Sequence, residues 1–135
     1  MVPETDPAAH AGDPLLAHLD MDVMDQLLSL DDGELGLLEE MLGLYTEDTP
    51  GRLEAIGAAL AEGQMTDMAD VAHAVKGSAG TMGAPKVRAV AALLEGAGRT
   101  GKTETPLPEL LAQLKVAYAE SVKALESFVA SRKTS

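Results

Sequence analysis

Apolar residues recur along this chain in stripes spaced three and four apart, and no segment alternates convincingly with the period of two that a half-buried strand requires. The longest stripe is Leu107, Leu110, Leu111, Leu114, Tyr118, Val122, Leu125 and Phe128, which predicts one long amphipathic helix opened by Pro106 and Pro108. A second stripe starts at Glu34 and runs through Leu38, Met41, Leu42 and Tyr45, then Leu53, Ile56 and Leu60. Pro50 interrupts it, so either a kinked helix or two helices meeting near Thr49-Pro50 is expected, with Gly63 ending the run.

The remaining elements follow from caps and breakers. A short helix covers Met21 to Leu30, and Asp31-Asp32-Gly33 breaks it with an aspartate placed to cap the next one. Thr66 is the expected N-cap of a third helix, with Asp67 and Asp70 in or near its first turn, where negative charge suits the helix dipole. Pro85 fits the first turn of a fourth helix that runs to about Gly96, with Val87, Val90, Ala91 and Leu94 inward. A polar loop from Gly98 to Thr105 then precedes the last helix. Residues 1–18, with Pro3, Pro7 and Gly12, read as a flexible tail in which His10 and His18 are solvated. Residues 19–132 read as one all-α domain, an antiparallel four-helix bundle with an additional short N-terminal helix. The aromatics are only Tyr45, Tyr118 and Phe128, so Leu, Ala, Val and Met must fill the interior, a palette that favours packed helices.

Composition excludes several classes of function. There is no cysteine, hence no disulfide and no thiolate metal site. No apolar run approaches the roughly 20 residues of a membrane helix, and the N-terminus lacks a basic region followed by an apolar one. A cytoplasmic, free-standing monomer is the expectation. The formal charge of -12 argues against a nucleic-acid partner. Yet from Val71 to Leu94 there is no Asp or Glu, while Lys76, Arg88 and Lys86 all fall there.

His73 stands in that window, in the run His73-Ala-Val-Lys76-Gly77-Ser78-Ala-Gly80-Thr-Met-Gly83. At about 100° per residue, Met68, Val71, Ala72, Val75, Ala79 and Met82 cluster toward the core. His73 then lies about 150° from that direction, Gly77 about 170°, Gly80 about 130° and Lys76 about 90°. His73 is therefore predicted to be exposed at mid-helix with a lysine one turn along. Glycine inside a helix costs roughly 1 kcal/mol relative to alanine, and outward glycines do not recover that by core packing. Their effect is to bare the imidazole to another molecule's backbone.

Neutral imidazole can act as a nucleophile at neutral pH, Lys76 can offset the charge of an arriving phosphoryl group, and Ser78 is expected to serve helix-helix contact. A phosphate-binding loop does not fit, because Lys76 precedes the glycines and no strand leads in. A dinucleotide-binding fingerprint fails for the same lack of a strand.

The segment Ala72 to Ala84 resembles the phosphoacceptor signature of histidine phosphotransfer (HPt) domains, with His73, Lys76, Gly77, Ser78 and Gly83-Ala84 at the family's spacing. The resemblance covers most of the chain, from about Leu19 onward. It implies that His73 takes a phosphoryl group from the aspartyl phosphate of a response-regulator receiver domain and passes it on, in a relay fed by a hybrid sensor histidine kinase. It implies Lys76 as the charge-compensating neighbour and Gly77 as the residue giving access. It implies a carrier without a nucleotide site or metal of its own, Mg²⁺ coming with the receiver. Docking is expected on apolar residues of the early helices, around Met21 to Leu30. A scaffold that docks receivers without carrying phosphate is the alternative. Gly80 departs from the family's pattern, and the helix is expected to fray or break near Thr81.

Overall fold

The computed structural model describes residues 18–30 and 35–133. Within them lie five helices: α1 (Met21–Leu30), α2 (Gly36–Ala61), α3 (Met65–Thr81), α4 (Pro85–Thr100) and α5 (Leu107–Lys133). No strand occurs among the described residues. α3 packs against α2 and α4, and α5 closes the ring by packing against the same two helices, while α1 lies on α2. This is the all-α four-helix bundle with a short N-terminal helix that the stripes predict. The expected break at Asp31-Asp32-Gly33 and nearly all of the expected tail lie outside the described residues.

The core forms two clusters. One gathers Ile56, Met68, Val75, Val87, Leu94 and Leu114 from α2 to α5. The other, at the opposite end of α5, joins Met24 and Leu27 of α1 to Leu38, Tyr45, Leu125 and Phe128. Tyr118 packs against both, and its ring centroid is 5.2 Å from that of Tyr45. The Tyr45 hydroxyl shares a 2.8 Å hydrogen bond with Ser121 Oγ, and burial pushes the phenol up to about 12.

Tight turns set the helix ends. α3 ends in a Schellman turn: the Ala84 amide donates to Ala79 O (2.8 Å) and the Gly83 amide to Gly80 O (3.2 Å). Gly83 takes the left-handed conformation this needs, at φ 70°. An added Cβ there would also meet Met24 Cε at 3.0 Å and Val23 Cβ at 3.1 Å. The Gly83 carbonyl accepts from the Asp20 amide at 2.7 Å, and Asp20 Oδ1 caps α1 by accepting from the Asp22 amide at 3.0 Å. The start of α1 is thus tied to the end of α3, and the helix breaks at Thr81, where a fray or break is expected, in an ordered turn.

Pro50 lies inside one continuous α2, the single-helix alternative of the two expected there. Three expectations change. Thr66 does not cap α3: the turn at Gly63 brings the chain round within two residues, so the helix starts at Met65 with Gln64 at the cap position. α4 continues one turn past Gly96, to Thr100, because Gly98 is a packing residue and the left-handed Gly101 supplies the stop. A Cβ on Gly98 would lie 2.7 Å from Met65 O and 2.8 Å from Ala69 Cβ, so α3 and α4 approach there more closely than any side chain permits. His18 is also half-buried, with Nδ1 3.9 Å from Glu120 Oε1.

Candidate functional site

α3 is oriented by its apolar face, with Met68, Ala72, Val75 and Ala79 fully buried. That leaves His73 on the outer face at mid-helix, its side chain 63% exposed, as the angular count requires. Gly77, the next turn on the same side, has no atom within 4 Å of where a Cβ would stand. The two residues singled out from the sequence therefore share one open face, and Lys76 flanks it.

α4 runs beside α3 in the opposite direction, and one of its edges carries Arg88, Glu95 and Arg99. Each meets its counterpart on α3. Arg88 lies on Gly80, Glu95 on His73 and Lys76, and Arg99 on Asp70. Gly80, outward of the core as expected, is covered by the arginine stem at 3.4 Å and is only partly exposed.

Glu95 is the residue that sequence reasoning missed. Its Oε2 is 2.8 Å from His73 Nδ1 and its Oε1 is 2.7 Å from Lys76 Nζ, with Arg99 Nη2 at 3.8 Å. The Lys76 hydrogen bond, helped by His73, holds its carboxyl below the usual carboxylate range against the opposing effect of desolvation. Glu95 stands one residue beyond the acid-free window, so the local charge count hid it. Its place beside the inward Leu94 on the fourth helix is the signal that would have found it.

The contact selects a tautomer. An ionised carboxylate only accepts hydrogen bonds, so the proton of neutral His73 resides on Nδ1 and is donated to Glu95. Nε2 is left with its lone pair, on a side chain that is mostly exposed. The arrangement is that of an oriented nucleophile with a carboxylate behind it, able to stabilise positive charge on the ring, and an ammonium one turn away.

Ser78 turns toward α2, where its Oγ accepts a 3.0 Å hydrogen bond from Arg52 Nη1. This is the helix-helix contact expected of it. Beside Gly77 on that flank lies a shallow hollow of about 290 Å³ lined by Met41, Leu44, Arg52, Ser78 and Thr81. Leu44 is 54% exposed. Leu44 of α2 thus adds exposed apolar surface beside Gly77, while α1, where docking is expected, sits at the Gly83 end of α3 with Met21 and Leu30 exposed. No described helix is long and apolar enough to cross a membrane. Among the described residues no group of three or more His, Asp or Glu is placed to hold a metal ion.

A family model for the Hpt domain matches residues 40–127. The chain belongs to the Hpt domain family. A crystal structure of histidine-containing phosphotransfer protein B (HptB) from Pseudomonas aeruginosa PAO1 superposes with a TM-score of 0.73 at 25% identity, covering 87% of this chain and 96% of that one. No curated protein matches the sequence. The Hpt match takes in most of α2, all of α3 and α4, and most of α5, and so includes His73, Lys76, Gly77 and Glu95.

Proposed function

We propose that this Hpt domain is a phosphoryl carrier in a multistep two-component relay and that His73 is its acceptor. The donor is the aspartyl phosphate of a receiver domain, within a pathway fed by a hybrid sensor histidine kinase. His73 Nε2 attacks phosphorus, the N–P bond forms as the bond to the aspartate oxygen breaks, and the carboxylate leaves with the electron pair. No proton has to be removed, because Nε2 carries none. The ring gains positive charge, which Glu95 stabilises through the Nδ1–H bond. Transfer to a second receiver is the same step reversed. In this reading Mg²⁺ belongs to the receiver.

Lys76 has the second role. Its ammonium is bound to Glu95 in the unphosphorylated protein, and a flexible four-carbon stem lets it turn to the phosphoryl oxygens when they arrive. Glu95 keeps Arg99 nearby when Lys76 leaves. Gly77 clears the approach for the partner's backbone. The observation that carries the reading is the exposed His73 whose Nδ1 is engaged by Glu95 and whose Nε2 has no partner among the described residues.

The test is incubation with phosphoramidate, a small donor suited to histidines, and intact-mass measurement beside His73→Gln. The expected result is one phosphoryl adduct, acid-labile and base-stable, that the folded mutant lacks. An adduct on the mutant would remove His73 from the role.

A further inference from the structure

Three of the cations around His73 are engaged within the domain. Lys76 is on Glu95, Arg99 is on Asp70 at 2.8 Å, and Arg52 donates to Ser78. Arg88 is not engaged by any described residue. Its guanidinium is exposed and has no acidic partner among the described residues, in a chain with 22 acidic residues against 10 Lys and Arg. Nor is it placed at random. Its Cδ and Nε cross Gly80, each 3.4 Å from where a Cβ would stand. Gly80 follows His73 by seven residues, so it lies within about 20° of the same helical face and roughly 10 Å along the axis. Any partner large enough to bring a phosphorylated aspartate to Nε2 covers that distance.

We propose that Arg88, seated across Gly80, is a specificity-determining contact that engages a carboxylate at the rim of the receiver's acidic phosphorylation pocket. This rests on the phosphocarrier reading of His73. The partner chemistry follows from charge. A pocket that holds Mg²⁺ beside a reacting aspartate is built of carboxylates, and an arginine pairs with a carboxylate through two parallel donors. Against a partner of that sign, a chain of charge -12 is repelled overall, so a local cation with no acidic partner among the described residues orients the encounter. A rim charge of this kind acts on association rate and salt dependence and leaves the chemistry at Nε2 untouched.

The test compares wild type, Arg88→Glu and Lys86→Glu. Lys86 makes the same charge change from an exposed position about 160° round α4. Each protein is labelled with phosphoramidate and, separately, by an acetyl-phosphate-charged receiver domain chosen because it labels the wild type. The expected result is equal phosphoramidate labelling in all three. Receiver-driven kcat/KM falls roughly tenfold at low salt in Arg88→Glu, within about twofold of wild type in Lys86→Glu, and the Arg88→Glu deficit shrinks as salt rises. Receiver transfer by Arg88→Glu within twofold of wild type would overturn the assignment, as would equal losses in both variants, which would trace the effect to net charge. A wild type that neither phosphoramidate nor any charged receiver domain labels would overturn the carrier reading itself, an outcome distinguishable from either.

Discussion

Replacing Gly77 by alanine should make the protein more stable and a poorer partner for receivers. Gly77 lies in the interior of α3 with helical backbone, and no atom stands within 4 Å of its missing Cβ. The substitution therefore meets no steric opposition inside the domain. The gain is the helix-propensity difference, about 0.5–1 kcal/mol, which for a domain of this size raises Tm by roughly 2–6 °C. The same methyl group stands one turn from His73 on the face a receiver must reach. Phosphoryl transfer requires reacting atoms about 3–3.5 Å apart and in line, and a displacement of 1 Å can cost up to about 10²-fold. Receiver-driven kcat/KM should fall about tenfold or more, while phosphoramidate, which is small, should label His73 at close to the wild-type rate. Thermal melts by circular dichroism and the two labelling assays measure all three quantities. A destabilised variant would refute the packing argument. A stabilised variant with unimpaired receiver transfer would refute the access role of Gly77.

Glu95→Ala should release the ring of His73, while Glu95→Gln keeps an amide oxygen to accept from Nδ1–H. Nitrogen NMR of the imidazole should show the Nδ1–H tautomer depleted in the alanine variant and largely retained in the glutamine one, with phosphoramidate labelling slowed in the same order. Wild-type tautomer populations in Glu95→Ala would show that the carboxylate does not orient the ring. Gly98→Ala forces a Cβ to 2.7 Å from a backbone oxygen, which costs about 1–3 kcal/mol in overpacking and outweighs a propensity gain of about 1 kcal/mol at most. The urea midpoint should drop with the m-value unchanged; a midpoint at or above wild type would mean that α3 and α4 separate without penalty.

The helices and the outward direction of His73 were legible because both rest on local periodicity, which a single strand of text records. Met68, Ala72, Val75 and Ala79 define one face of α3, and the position of His73 follows by angle alone. The errors fell mostly where a neighbouring helix decides, and once at a local turn. Gly98 looked like the start of a loop because its value lies in the backbone of Met65, more than thirty positions away. The contact of Gly80 with Arg88 was likewise invisible, because it comes from α4. Thr66 has the chemistry of a cap, but the Gly63 turn starts the helix one residue before it.

What the sequence by itself determined is the set of amphipathic elements, the bundle they must form to bury their apolar stripes, and a histidine, lysine and glycine at helical spacing on one outer face. The antiparallel register of α3 against α4 belongs to the tertiary structure. That register brings Glu95 to Nδ1, holds Lys76 on the same carboxylate and leaves Arg88 over Gly80 with no acidic partner among the described residues. Helical periodicity is a property of neighbours along the chain, whereas a hydrogen bond between residues 22 positions apart depends on how closely two helices can approach. Here Gly98 sets that approach.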